Sequence, residues 1–267
     1  MLPVAYGADS GFAGITPGCD ADTYLGSVQI GAARAIQRIV YEPSLSTGYF
    51  TIDGPAALGL YRFTTATDGT PTITSSTNTN TSSGGPLALD ADRATLVTAA
   101  PNIAAAYTLT GSTLDLPATY AAEAGCAQPI DLVVSGEYTL LFCGDTSQIF
   151  RYTTSPFALQ SQIAGPGAVD RVVQLPGDRA IAATSAPALA VVSLSNGSPS
   201  WSAGPTMGSR VTAMAVSLDG EILATARTAG SAAEIVLWRV AGQNITPITT
   251  LQISGTVVAL AITMAGN

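Results

Sequence analysis

Residues 210–255 read RVTAMAVSLDGEILATARTAGSAAEIVLWRVAGQNITPITTLQISG, and residues 256–267 read TVVALAITMAGN. Four short apolar runs, Val211–Leu218, Ile222–Ala226, Ile235–Val240 and Ile248–Ile253, are parted by turn residues. The tail then repeats the first run, with VVALAITMAG standing under VTAMAVSLDG. This is the pattern of one four-stranded β-meander followed by the opening strand of another. A single meander cannot bury both of its faces, so further copies are expected to stack on it.

Earlier copies lie upstream. First-strand candidates are IQRIVYEP from Ile36, PLALDAD from Pro86, PIDLVVSG from Pro129 and VDRVVQLPGD from Val169. The turns that follow the first strands fall near Pro43, Asp92, Gly136, Gly177, Gly220 and Gly266, at intervals of roughly 41 to 49 residues. A period in the forties made of four short strands is that of a propeller blade, and no stretch holds a 3.6-residue helical period. At the N-terminus LPVAYGADSG, GFAGITPG and TYLGSVQIG supply three strands, and the C-terminal tail supplies a first strand. The expected fold is therefore all-β: a six-bladed β-propeller of four-stranded antiparallel blades. Its ring would be closed by pairing the N-terminal strands with the C-terminal strand, which removes two open sheet edges. The blades would span approximately 36–85, 86–128, 129–167, 168–209, 210–255, and 256–267 plus 1–35, within one domain over 1–267. Five or seven blades are the alternatives.

SLDGEILATA followed by EIVLWRV resembles a blade of the WD40 and quinoprotein-like β-propeller superfamily. The likeness lies in the tight Asp219-Gly220 turn, the small-residue second strand and Trp238 at the end of the third. It is clearest over residues 210–240. The Gly-His pair of WD40 repeats is missing, and Trp-Asp becomes Trp238-Arg239, so the hydrogen-bond network those residues make in WD40 blades is not expected. The resemblance implies a fold and names no partner.

Composition excludes several chemistries. Of 267 residues 47% are apolar and 10% charged, yet no apolar run approaches the roughly 18 residues of a membrane span. Every basic residue is arginine; lysine and histidine are absent, and the net charge is −8. That charge argues against nucleic acid or an anionic membrane as partner. No imidazole is present as general base or metal ligand, and no lysine amine to form a Schiff base. The N-terminal MLPVAYGADSGFAG lacks a basic leader and a long apolar segment, so export by an ordinary signal peptide is not expected. Cys19, Cys126 and Cys143 are too few for a disulfide framework. Cys143, in TLLFCGD, reads as a small core residue; the alternative is a Cys126–Cys143 bridge, although nothing else points to an oxidising compartment.

Candidate site residues follow from the same frame. First strands line the channel in this architecture and carry Arg38, Asp131, Asp170 and Arg171. Two cations and two anions there read either as charges that satisfy one another or as a seat for a small anion. Six-bladed propellers include lactonases, sialidases and dehydrogenases. Ser217-Leu218-Asp219-Gly220-Glu221 misses a sialidase Asp box by one position, and the histidine of lactonase-like proton transfer is lacking. Asp20-Ala21-Asp22 and Asp90-Ala91-Asp92 alternate carboxylates without the rest of a calcium loop and read as turns. Asn80, Asn196 and Asn244 head glycosylation triplets, which mean little without a secretory leader. TPTITSSTNTNTSSGG, over 70–85, combines an outer strand with an uncharged exposed loop.

The expectation is a non-enzyme with no cofactor and no metal. It is a structural, protein-interaction subunit of a larger assembly, such as a capsid or tail decoration of a phage or other virion. The alternative is a glycan- or cell-surface-binding propeller with Trp201, Tyr24 and Tyr120 as stacking aromatics, Trp201 being the leading surface anchor. A metal-dependent hydrolase stands third.

Overall fold

Alternating inward and outward side chains, interrupted every few residues by a turn former, give short strands and little else. The computed structural model describes residues 4–6, 11–14, 27–29, 36–42, 45–52, 60–67, 70–77, 85–90, 94–110, 113–114, 119–122, 125–195, 198–217, 219–257 and 259–262. Among the described residues there is no α-helix.

An N-terminal sheet holds β1 (Val4–Tyr6), β2 (Gly11–Gly14) and β3 (Ser27–Gln29). Five meanders follow. Blade one is β4 (Ile36–Glu42), β5 (Thr47–Ile52), β6 (Leu60–Thr65) and β7 (Pro71–Thr77). Blade two is β8 (Leu87–Asp90), β9 (Thr95–Ala100) and β10 (Ile103–Thr110), its fourth place shared by β11 (Thr113–Leu114) and β12 (Thr119–Ala122) on successive stretches of β10. Blade three is β13 (Pro129–Ser135), β14 (Tyr138–Cys143), β15 (Gln148–Thr154) and β16 (Phe157–Ala164). Blade four is β17 (Val169–Leu175), β18 (Arg179–Thr184), β19 (Ala188–Ser193) and β20 (Ser200–Thr206). Blade five is β21 (Val211–Val216), β22 (Ile222–Ala229), β23 (Ala232–Ala241) and β24 (Asn244–Ser254). The chain divides into two compact units, residues 1–124 with 156–158 and residues 125–155 with 159–267. The first carries blades one and two; the second carries blades three to five but for the start of β16.

One backbone bond marks the repeat in every blade. A residue within one position of the third strand's end donates its N–H to the carbonyl just before the second strand. The pairs are Thr65 to Ser46 (2.9 Å), Leu109 to Ala94 (2.7 Å), Thr154 to Glu137 (3.0 Å), Leu194 to Asp178 (2.7 Å) and Val240 to Glu221 (2.7 Å). The turn after the first strand needs a left-handed residue in blades three to five, and Gly136, Gly177 and Gly220 supply it at φ 56°, 71° and 75°. The turns expected at Pro43 and Asp92 lie outside the described residues.

Within each unit the sheets stack face on face. In the first, Tyr49 and Leu60 of blade one pack against Leu87, Leu96, Ala105 and Tyr107 of blade two. Phe50 and Phe63 occupy blade one's opposite face with Tyr41 and Tyr61. Gly48 is required there, because a Cβ would lie 2.3 Å from the Phe63 ring and 2.8 Å from the Val40 carbonyl oxygen. In the second unit, blade four alternates strictly. Ala180, Ala182, Val192 and Leu194 meet Val133, Leu140, Phe142 and Ile149 of blade three. Ile181, Ala183, Leu189 and Val191 meet Val211, Leu223, Val236 and Trp238 of blade five. A side chain of this size contributes about 1.5–3 kcal/mol when fully buried.

The structure corrects the blade count from six to five. Among the described residues the N-terminal sheet has three strands, and those after Gly255 form none. Among the described residues, the expected closure by residues 256–267 is therefore not formed. The tail nevertheless begins as a first strand would, packed on the blade before it. Val257, buried, packs with Ala213, Ala226 and Ala233, with Leu260 beside it, and its carbonyl accepts the Thr212 hydroxyl at 3.1 Å. Val257 does for blade five what Val211 does for blade four and Val169 for blade three.

Candidate functional site

Four of the five first strands share an irregularity near their start. The register slips by one residue between Ile36 and Arg38, Pro129 and Asp131, Val169 and Arg171, and Val211 and Ala213. A bulge leaves one residue out of the ladder and re-aims its neighbours. In blade four the bulged residue is Asp170, whose carboxylate is buried and accepts from the Arg210 Nε at 3.1 and 3.0 Å and from its Nη2. Arg210 stands just before β21, and its side chain is 69% exposed. The hydrogen bond and the charge of Asp170 raise the guanidinium pKa above its ordinary value.

The four expected first-strand residues fare differently. Asp170 meets Arg210, a residue the sequence reading had not singled out. Arg171 turns to backbone, donating from Nε to the Thr212 carbonyl at 3.1 Å and from Nη1 to the Asp170 carbonyl at 2.7 Å. Asp131 accepts the Leu132 N–H at 3.0 Å. Arg38 sits half-buried on β4, in the other unit. A signal for Arg210 was available: it lies 40 residues beyond Asp170, one blade period, and the next first strand follows it at once.

The cysteines overturn an expectation. Cys126 and Cys143 form a disulfide with Cα atoms 5.7 Å apart, joining the segment before β13 to the end of β14. Cys143 is thus buried as expected, but as half of a cross-link. Closing a loop of this size stabilises by about 3 kcal/mol. The same corner is tied a second way. The Asp145 carboxylate accepts the Ala127 N–H at 2.9 Å and the Gln128 N–H at 3.2 Å, and the Gly144 N–H donates to the Gln128 carbonyl at 2.8 Å.

The near-miss Asp box is a turn. Asp219 shares a hydrogen bond of 2.5 Å with the Ser217 hydroxyl and accepts the Glu221 N–H at 3.0 Å, while Ser217 Oγ accepts the Ile222 N–H at 2.9 Å. The Ser217 bond first, then the Glu221 N–H, hold the Asp219 carboxyl below its ordinary pKa. A depressed folded-state pKa means that the stabilisation is complete above the unfolded value, about 3.9, and is lost as pH falls through the folded value. We expect the urea midpoints of wild type and Asp219→Asn to differ above that range and to converge in acid; a constant offset would show that the ionised carboxylate plays no part. Asp90 is buried in β8, whereas Asp20, Asp22 and Asp92 lie outside the described residues.

Exposed apolar groups gather on outer strands of the second unit. Trp201 on β20 is 47% exposed. On β24, Ile248, Leu251 and Ile253 are 48%, 51% and 39% exposed. The two strands approach where a Cβ on Gly204 would meet the Ile245 side chain at 3.5 Å. Of the other aromatics proposed as anchors, Tyr24 and the Tyr120 side chain lie outside the described residues.

No protein-family model matches the chain, and no curated protein matches it. Solved structures do. A candidate 6-phosphogluconolactonase from Bacteroides fragilis NCTC 9343 superposes with a TM-score of 0.74 at 13% identity, over 94% of this chain and 80% of its own. The RRP9 WD40 repeats give 0.73 at 11%, over 97% and 80%. The C-terminal WD40 domain of Sif2 gives 0.60 at 12%, over 95% and 84%. Identities this low speak for fold alone, and they agree with the five meanders and their recurring bonds: the chain folds as a WD40-like β-propeller.

Proposed function

We propose that this propeller is a non-catalytic scaffold that binds other proteins as one subunit of a larger assembly, with the outer edge of blade five as its contact. The observation that carries the reading is β24. It is the outermost strand of its sheet, eleven residues long, exposed at every position but Ile245. Edge strands ordinarily carry charge to discourage pairing with foreign strands. NITPITTLQIS has none, and Pro247 is its one blunting residue. Between Ile248 and Ser254 it offers backbone donors and acceptors together with three exposed apolar side chains, the combination that an added strand from another protein uses. A capsid or tail decoration of a viral particle is the narrower form of this reading and rests on composition alone.

The experiment is a double substitution, Leu251→Lys with Ile253→Lys, at side chains the fold leaves in water. The wild-type chain is expected to migrate in its native source with protein partners at fixed stoichiometry. The variant should keep its thermal midpoint within a degree or two and bind those partners at least thirtyfold more weakly, the size of an interface hot spot of about 2 kcal/mol. A native monomer, or a variant with unchanged association, overturns the reading. The exposure of Trp201 favours glycan binding as a second reading. A glycan array probed with wild type and Trp201→Ala tests it, and binding by neither disposes of it. The lactonase-like neighbours give the enzyme reading its own assay: lactone hydrolysis above background contradicts the scaffold.

A further inference from the structure

The corner that holds the disulfide contains a third group of the right chemistry. The sulfurs of Cys126 and Cys143 and a carboxylate oxygen of Asp145 lie within 4.8 Å of one another. We propose that the reduced form of this corner is a binding site for a soft divalent cation such as Zn2+, with Cys126, Cys143 and Asp145 as its ligands. The disulfide would be the state that excludes the ion.

Two thiolates and a carboxylate match the donor preference of zinc and leave a fourth tetrahedral position to water. Zinc–sulfur bonds of about 2.3 Å need sulfurs about 3.8 Å apart. Cα atoms 5.7 Å apart allow that separation by rotation of the two side chains, with the backbone in place. Pre-organisation is independent of the cross-link. The Asp145 carboxylate grips the Ala127 and Gln128 N–H groups, and Gly144 donates to the Gln128 carbonyl, so the Cys126 segment stays docked when the sulfurs part. Each carboxylate oxygen has lone-pair capacity for one of these bonds and for a metal. Both cysteines are buried while Asp145 is exposed, so the ion reaches the site past the carboxylate.

The chemistry balances. A dithiol reductant delivers two electrons and two protons to the disulfide, giving two thiols, and is itself oxidised to a cyclic disulfide. Binding of the cation displaces both thiol protons to solvent. In reverse, hydrogen peroxide with two protons takes two electrons from the bound thiolates, re-forming the disulfide, releasing the cation and yielding two waters.

The test uses the full chain with Cys19→Ser, so that only this pair of cysteines remains. After reduction and removal of the reductant, Co2+ is titrated and thiolate-to-cobalt absorption followed, with Zn2+ affinity taken by competition against a chromophoric chelator. The expected result is one ion per reduced chain and none per oxidised chain. Asp145→Asn should weaken binding ten- to hundredfold with both thiols still titratable, Cys126→Ser should abolish it, and peroxide should release the ion stoichiometrically. Three outcomes overturn the proposal: a reduced, folded chain with two free thiols that takes up no stoichiometric ion; affinity untouched by Asp145→Asn; or loss of the far-ultraviolet strand signal on reduction, which would leave no folded dithiol form to bind. Asp145→Asn keeps Cys126 and Cys143, so the second outcome is readable even where variants of that pair fold poorly.

Discussion

Replacing Trp238 by alanine is expected to lower the unfolding free energy by about 4 kcal/mol. The indole sits on β23 at 6% exposure, in the cluster where blade four meets blade five, with Leu175, Ile181, Val191, Met207 and Leu223. Its Nε1 donates to the Thr225 hydroxyl at 2.9 Å, and that bond is buried. Alanine removes the packing and leaves Thr225 without that partner. Thr225→Val deletes only the acceptor and should cost about 1–3 kcal/mol, because a buried indole N–H is then unsatisfied. Urea unfolding followed by far-ultraviolet circular dichroism separates the two. A loss below about 1 kcal/mol for Trp238→Ala would mean that the interface between these blades is not packed as described.

The Asp170–Arg210 pair should behave asymmetrically. Arg210→Ala leaves a carboxylate, buried at 5% exposure, without the two N–H donors, Nε and Nη2, that hold it, a loss of about 3 kcal/mol. Asp170→Asn costs less, since the amide oxygen still accepts from a guanidinium that is itself largely in water. The double variant Asp170→Ala with Arg210→Ala should be more stable than Arg210→Ala alone, because no stranded charge remains. A double-mutant cycle reads the coupling directly, and additive single effects would contradict it.

The meander was legible because its signals are local. SLDGEIL gives a turn with a glycine at φ 75°, and short apolar runs on either side give strands. The blade count was not legible. VVALAITMAG has the composition of a first strand, and Val257 packs on blade five as an opening residue should, but composition does not record whether a second strand arrives beside it. The charged residues show the same division. A period-two reading places Asp170 and Arg171 on a first strand, but the bulge between Val169 and Arg171 decides which of them is re-aimed, and no single residue announces a bulge. The Cys126–Cys143 bridge stood only as the alternative because its evidence is spatial: one cysteine lies outside any strand, and β14 brings the other back to it. The exposed edge of β24 was half visible, as an uncharged run whose place at the outside of the sheet only the strand order reveals.

The seat taken by Val257 sets where this chain can be cut. Because the opening residues of blades four and five finish the packing of the blade before each, a fragment trimmed at the last ladder residue, Ser254, would lose Val257 and Leu260 and leave Ala213, Ala226 and Ala233 bare on one side. A fragment that runs on through Ile262 keeps them covered. The natural units of excision or transplantation are thus offset from the sheets by about half a dozen residues, and a graft of blade five must carry its short downstream overhang to arrive folded.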